Sequence, residues 1–324
     1  MSRKLVPISV GAALMSSTAM ADVPSVAVDI APVHSLVARV MDGVGVPNLI
    51  VQTGASPHEY NLRPSEAAAL QGADLVFWMG EGLTPWLGNA LETLAADATI
   101  TELLEIEETL LLDFREGALF EAHDHDDHDD HDDHDDHDDH DDHDDHDDHA
   151  GHDHGEHDPH AWLSIENAQT WLNLVAGKLS AADPENAGVY FGNAAAARSE
   201  IEELSKEVNS ILDPVRGRSF VVFHDAYQYF ETSFDFPASG AISLGDATDP
   251  SASRIAEIQG RVREEGINCV LSEPQYNPNL VETVLEGTDA KTGVIDPLGV
   301  NLEPGSKLYG DLIRNMAKSL AGCL

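Results

Sequence analysis

Outside one charged tract, the chain alternates short apolar runs with amphipathic stretches. Ser25-Val-Ala-Val-Asp-Ile30 predicts a strand, and Pro32 to Met41 a helix with proline in its first turn. Leu49 to Val51 predicts a second strand, Glu66 to Gln71 a helix capped by Ser65, Asp74 to Met79 a third strand, and Thr84 to Leu94 a helix. Ser164 to Leu179 then reads as a helix. Asp183-Pro-Glu opens a long helical pattern ending at Leu212, with Asp183 as N-cap and proline at the first helical position. The alternation resumes with strands at Ser219–Phe223, Ala241–Leu244, Cys269–Leu271 and Gly293–Ile295, and helices at Ser251–Glu265, Asn279–Leu285 and Lys307–Leu320. Such alternation is the mark of a parallel sheet covered by helices. The expected fold class is α/β: two similar α/β lobes with parallel-type sheets, joined by one long connecting helix. The expected boundaries are 22–182 for the first lobe, 183–213 for the linker helix and 214–324 for the second lobe.

The tract changes this picture. Thirteen of the seventeen histidines fall between His123 and His157, most of them in a repeating His-Asp-Asp unit. They are His123, His125, His128, His131, His134, His137, His140, His143, His146, His149, His152, His154 and His157. The run has almost no apolar side chains to offset the entropy of ordering, so a disordered His/Asp-rich loop is expected within the insertion 121–158. Imidazole and carboxylate are ligands for zinc, copper and nickel, so the tract reads as many weak, interchangeable metal contacts. A solvated charge run without ligand is the plainer alternative. From Glu121 to Asp158 there are 21 acids and no lysine or arginine. The rest of the chain still has 38 acids against 17 bases, so it is acidic without the tract. A net charge of -42 argues against nucleic acid and anionic membrane surfaces as partners.

Residues 1–21 read as a secretory signal peptide: Arg3 and Lys4, the apolar stretch Leu5 to Met15, then Ala19-Met20-Ala21 as cleavage site. The alternative is an N-terminal helix. No later apolar run reaches the length of a membrane span. An exported, periplasmic protein follows, with at most peripheral docking to a membrane protein. In an oxidising compartment the only two cysteines, Cys269 and Cys323, are expected to pair, with metal ligation the weaker alternative because C-x-x-C spacing is lacking.

Four histidines lie outside the tract. His224 directly follows a predicted strand, where ligands of open α/β sheets sit. His58 lies in the loop after the second strand, and His160 between the tract and a helix. Asp296 follows the last strand, again at a carboxyl end. His34 sits among Val33, Leu36 and Val37 and reads as a packed or capping residue. Three imidazoles with a carboxylate or water make a tetrahedral zinc site, closing the cleft between the lobes.

Gly54-Ala-Ser-Pro-His-Glu-Tyr-Asn-Leu-Arg-Pro-Ser65, Asp158-Pro-His-Ala-Trp-Leu-Ser164, Phe223-His-Asp-Ala-Tyr-Gln-Tyr-Phe230, Glu273-Pro-Gln and Asp296-Pro-Leu-Gly299 resemble, in this order, the signature segments of ZnuA-type proteins. These are periplasmic solute-binding proteins of zinc and manganese ABC importers. The resemblance implies two α/β lobes on one long helix and the metal ligands His58, His160 and His224. It implies a less secure fourth place, filled by Asp296, by water or by another carboxylate. Glu273 is a candidate to orient His224, or a turn residue. The His/acid-rich insertion and the Cys269/Cys323 pair are similar to the zinc branch.

The reading is therefore a monomeric periplasmic receptor, not an enzyme. It binds Zn²⁺ as transported ligand and hands it to an ABC permease with its ATPase. The tract serves as auxiliary low-affinity collector or sensor. A manganese receptor of the same family, a secreted zinc buffer and a zinc hydrolase are the rivals. An H-E-x-x-H helix for the last is lacking.

Overall fold

The computed structural model of the chain describes residues 23–115, 157–243, 250–276 and 278–324. The predicted signal segment, the His/Asp tract as far as residue 156 and Leu244 lie outside the described residues. The first lobe contains β1 (Val26–Val28), α1 (Ala31–Val40), β2 (Asn48–Leu49), α2 (Pro64–Gln71), β3 (Leu75–Trp78), α3 (Leu87–Leu94) and β4 (Thr99–Glu102). Two longer helices follow, α4 (Ile165–Ala182) and α5 (Ala187–Leu212). The second lobe contains β5 (Phe220–His224), α6 (Gln228–Phe234), β6 (Gly240–Ser243), α7 (Ala252–Glu264), β7 (Cys269–Ser272), α8 (Pro278–Leu285), β8 (Lys291–Val294) and α9 (Leu308–Cys323).

Each lobe holds a four-stranded, all-parallel sheet, ordered β2-β1-β3-β4 in the first and β6-β5-β7-β8 in the second. The inner strands are apolar on both faces because helices cover both sides; β1, β3 and β5 are buried throughout. The register repeats as well. Val26 lies opposite Leu75 and Leu75 opposite Thr99; Phe220 lies opposite Cys269 and Cys269 opposite Lys291.

Helix α5 joins the lobes. Its 26 residues span about 39 Å at 1.5 Å per residue. Tyr190, Ala194, Ala197, Ile201, Leu204, Val208 and Leu212 form one buried stripe at three- and four-residue spacing. That stripe packs on α1 and α4 from one side of the chain and on α9 from the other, so one face of α5 is buried along its length while the opposite face is exposed. Asp183 does act as a cap, accepting from the Asn186 amide, but Pro184–Asn186 forms a 3₁₀ turn before the α-helix begins. Ser65 does not cap α2. The helix starts at Pro64 with Arg63 as N-cap, and the Glu66 carboxylate accepts from the Arg63 amide at 2.8 Å.

Asp29, just after β1, is fully buried and accepts from the amides of Ile30 and Met79, both at 2.7 Å. It thereby ties the ends of β1 and β3 together. Burial outweighs those two hydrogen bonds and raises its pKa from 3.8 to about 7. The folded protein holds this proton more tightly than the unfolded chain does. The resulting stability is complete below pH ~4 and is lost as pH rises through about 7. Asp29→Asn should flatten this segment of the pH–stability profile. Urea midpoints at pH 5 and pH 8 measure it; equal pH slopes for variant and parent would refute the assignment.

Candidate metal centre

His224 is the last residue of β5, at the carboxyl end of a fully buried strand. β7 lies beside β5 in the sheet, and the residue following it is Glu273. This adjacency brings a Glu273 carboxylate oxygen 2.6 Å from Nδ1 of His224. Both side chains are almost wholly buried. In the first lobe the same register positions, four residues beyond Val26 and Leu75, are Ile30 and Met79. At these two register positions only the second lobe supplies ligand chemistry.

His160 comes from the re-entry of the chain after the tract. It immediately precedes the 3₁₀ turn Ala161–Leu163, and Ser164 then caps α4 by accepting from the Asn167 amide. One Asp158 oxygen accepts from the His160 amide at 2.9 Å and lies 2.7 Å from Nδ1 of the same histidine. This residue, two positions before the ligand candidate, was not singled out by the sequence reading; the Asp-x-His spacing is the signal that marks it.

His58 lies in the loop after β2. Trp86 Nε1 donates to the Pro57 carbonyl at 2.7 Å. The Tyr60 ring lies 5.6 Å from that of Trp86, and the Tyr60 hydroxyl donates to Glu66 at 2.8 Å. These contacts pin the loop on both sides of His58. The Glu59 side chain is exposed.

The three imidazoles converge. One ligand nitrogen from each of His58, His160 and His224 lies within 4.8 Å of the others, and among the described residues they are the one such group. The ring of His160 is 5.7 Å from that of His58 and 5.2 Å from that of His224. The cavity between them is lined also by Pro57, Trp162 and Tyr276, and its volume is about 20 Å³. That is room for a single ion or water, not an organic ligand. In His160 and His224 a buried carboxylate at Nδ1 favours the tautomer protonated there, which leaves the Nε2 lone pair as donor to a metal. His160 and His224 are buried while His58 is half-buried, so solvent approaches from the His58 side. Behind His224, burial and the charge of Glu273 hold the Tyr227 hydroxyl well above its ordinary pKa.

Asp296 stands outside this group. Its two oxygens accept from the amides of Leu298, Gly299 and Val300 at 2.6 to 3.0 Å, so the carboxylate shapes the turn after β8. His34 is packed, as its apolar neighbours suggest. Its Nε2 meets the Pro47 carbonyl at 3.0 Å, and burial lowers its pKa. Cys269 and Cys323 form a disulfide. Of the tract histidines, His157 is within the described residues: it pairs in an antiparallel bridge with Asp113, Nδ1 2.8 Å from the carboxylate. The other twelve, His123 to His154, lie outside them. Among the described residues no helix is long and apolar enough to cross a membrane.

The profile of the family described as "Zinc-uptake complex component A periplasmic" (ZnuA) matches residues 26–323. A high-affinity zinc uptake system protein ZnuA of Brucella abortus is 47% identical over 304 residues, covering 92% of this chain and 91% of the relative. Its counterpart of the same name in Paracoccus denitrificans is 46% identical over 307 residues, covering 94% and 93%. Among solved structures, a crystal structure of ZnuA superposes with a TM-score of 0.72 at 20% identity, over 93% of this chain and 99% of that one. FpvC from Pseudomonas aeruginosa, in complex with Mn²⁺, superposes with a TM-score of 0.73 at 16% identity, over 93% and 98%. These structural likenesses carry the fold.

Proposed function

Because the chain belongs to the ZnuA family of periplasmic zinc-uptake components, we propose that it captures Zn²⁺ between its lobes on His58, His160 and His224, with water as fourth ligand, and delivers it to an ABC permease driven by a cytoplasmic ATPase. One observation carries this reading: three imidazoles from both lobes meet around a cavity of ion size, two of them buttressed by buried carboxylates. In a tetrahedral zinc site with bonds of about 2 Å, the nitrogens stand about 3.3 Å apart. From their present spacing, closure by about 1.5 Å or less suffices. A nitrogen-rich donor set favours zinc over manganese, which takes oxygen ligands more readily. Asp296, the carboxylate that a manganese-type site would draw in, is occupied by backbone amides.

The two lobes have different tasks in this reading. The second lobe offers His224 from a rigid strand end, and the first offers His58 and His160 from loops. Binding consists of ligand exchange on the ion, with no bond made or broken in a substrate, so the protein acts as a receptor and not as a catalyst. The negative charge of the chain raises the local cation concentration and speeds encounter. The His/Asp tract is proposed as an auxiliary collector or sensor of lower affinity.

Deleting residues 117–155 keeps Arg115 and His157 and removes twelve tract histidines. The deleted protein should still bind one tight zinc per chain, measured by competition against a chromophoric chelator. Loss of tight binding on deletion would turn the reading toward a buffer in which the tract alone matters.

A further inference from the structure

The segment after β4 leaves the first lobe and crosses to the second before the tract begins. Leu110 is held by Asn167 through both its amide and its carbonyl. The Leu112 amide donates to the Tyr229 hydroxyl at 3.0 Å, and that hydroxyl donates to the Asp158 carbonyl at 2.8 Å. The Asp158 amide donates to the Leu112 carbonyl at 2.8 Å. The two flanks of the insertion are thus stitched together on α6 of the second lobe. The outgoing flank carries Arg115, whose guanidinium spans two carboxylates. Nε donates to Asp225 at 3.0 and 3.1 Å, and Nη2 donates to it as well. Nη1 and Nη2 donate to Glu231 at 2.8 and 3.0 Å. The three side chains are largely buried, at 18%, 8% and 5% exposure.

Two features make this more than a buried ion pair. Asp225 is the residue after His224, and Asp158, on the other flank, holds Nδ1 of His160. One short clamp therefore fixes the anchor of a first-lobe imidazole relative to that of the second-lobe imidazole. Planar, bidentate pairing on two carboxylates sets direction as well as distance, which a lysine ammonium cannot do.

We infer that Arg115 is a positioning residue for the metal centre, holding the His224 turn in register with the His160 turn across the lobe boundary. The inference rests on the proposed zinc reading of the three histidines. Removing the clamp should leave each lobe folded but let the two ligand turns drift, so that zinc leaves faster. The expected cost is about tenfold in affinity, the low end of the range for groups that orient metal ligands.

The test uses the protein without residues 117–155 and three forms at position 115: parent, Arg115→Lys, and the triple variant Arg115→Met/Asp225→Asn/Glu231→Gln, which removes the three charges of the clamp together. The readouts are zinc affinity, zinc dissociation rate, the visible absorption of the Co²⁺-loaded site, and the melting temperature without metal. We expect both variants to melt metal-free near the parent, to release zinc about tenfold faster, and to show an altered Co²⁺ spectrum. Parent-like affinity and spectrum in folded variants would overturn the positioning role while leaving the three-histidine site standing. A lower metal-free melting temperature with unchanged affinity would make Arg115 structural only, and would overturn it too. A parent that binds no tight zinc would remove the underlying reading itself.

Discussion

Zinc should bind the His160→Ala protein more than a hundredfold more weakly than the parent, once residues 117–155 are removed from both. His160 is the central imidazole, in ring contact with both His58 and His224. Its loss leaves two nitrogens and solvent, which is neither a closed nor a preorganised zinc site. Loss of a group that merely orients a ligand costs ten- to a hundredfold, so loss of a ligand itself should exceed that range. The tract is left out of both proteins so that its imidazoles cannot contribute to the zinc measured. His34→Ala is the matched control: it removes a buried histidine whose Nε2 is engaged by the Pro47 carbonyl, and affinity should stay within about twofold. Competition titration with a chelator of known affinity decides between them. Equal affinity of parent and His160→Ala would end the assignment of the cleft as the tight site.

The second large effect is on stability. The Cys269–Cys323 bridge closes a segment of 54 residues, joining the first residue of β7 to the last residue of α9. In the chain-entropy account a loop of that length contributes about 4 kcal/mol. The bridge is buried, and Gly293 on β8 leaves it room: a Cβ there would stand 3.1 Å from that of Cys323. Cys269→Ala/Cys323→Ala should lower the free energy of unfolding by about 2–5 kcal/mol in denaturant titration. Alanine is the better replacement here because serine would put two hydroxyls into an apolar interior. An unchanged midpoint would mean that the unfolded chain keeps these segments together without the bond. Since β7 leads directly into Glu273, the bridge also secures the strand from which His224 is oriented.

Much of this architecture is legible in the sequence because buried parallel strands are written as apolar runs and helices as periodic ones. Val26–Val28, Leu75–Trp78 and Phe220–His224 carry that signal clearly. β4 does not: Thr99-Ile-Thr-Glu is an edge strand, largely exposed, with alternation too short to stand out. α6 was also missed, since Gln228–Phe234 is aromatic and β-like in composition, and its two turns form because Tyr229, Phe230 and Phe234 are buried together. Its end falls at Asp235 with φ 48°, a left-handed position that no pattern of hydrophobicity foretells. His58, His160 and His224 could be picked out by their places at loop and strand ends. Their partners were harder. Glu273 could be suspected, but its contact with His224 depends on the neighbouring of β5 and β7, which only the sheet order supplies. The hydrogen bonds of Asp296 go to three amides that follow it, a turn geometry that its place beyond a strand end does not reveal.

The stripe along α5 has a thermodynamic meaning. Tyr190 to Leu212 belong to the same apolar interior as α1, α4 and α9, so the largest buried cluster runs through both lobes, beside a smaller cluster within each. The shared cluster couples the unfolding of one lobe to that of the other. If zinc binds across the lobes as proposed, the free energy of binding adds to the stability of that shared core, as the logarithm of free zinc. In such a protein, occupancy of the cleft and resistance to unfolding are two readings of a single equilibrium.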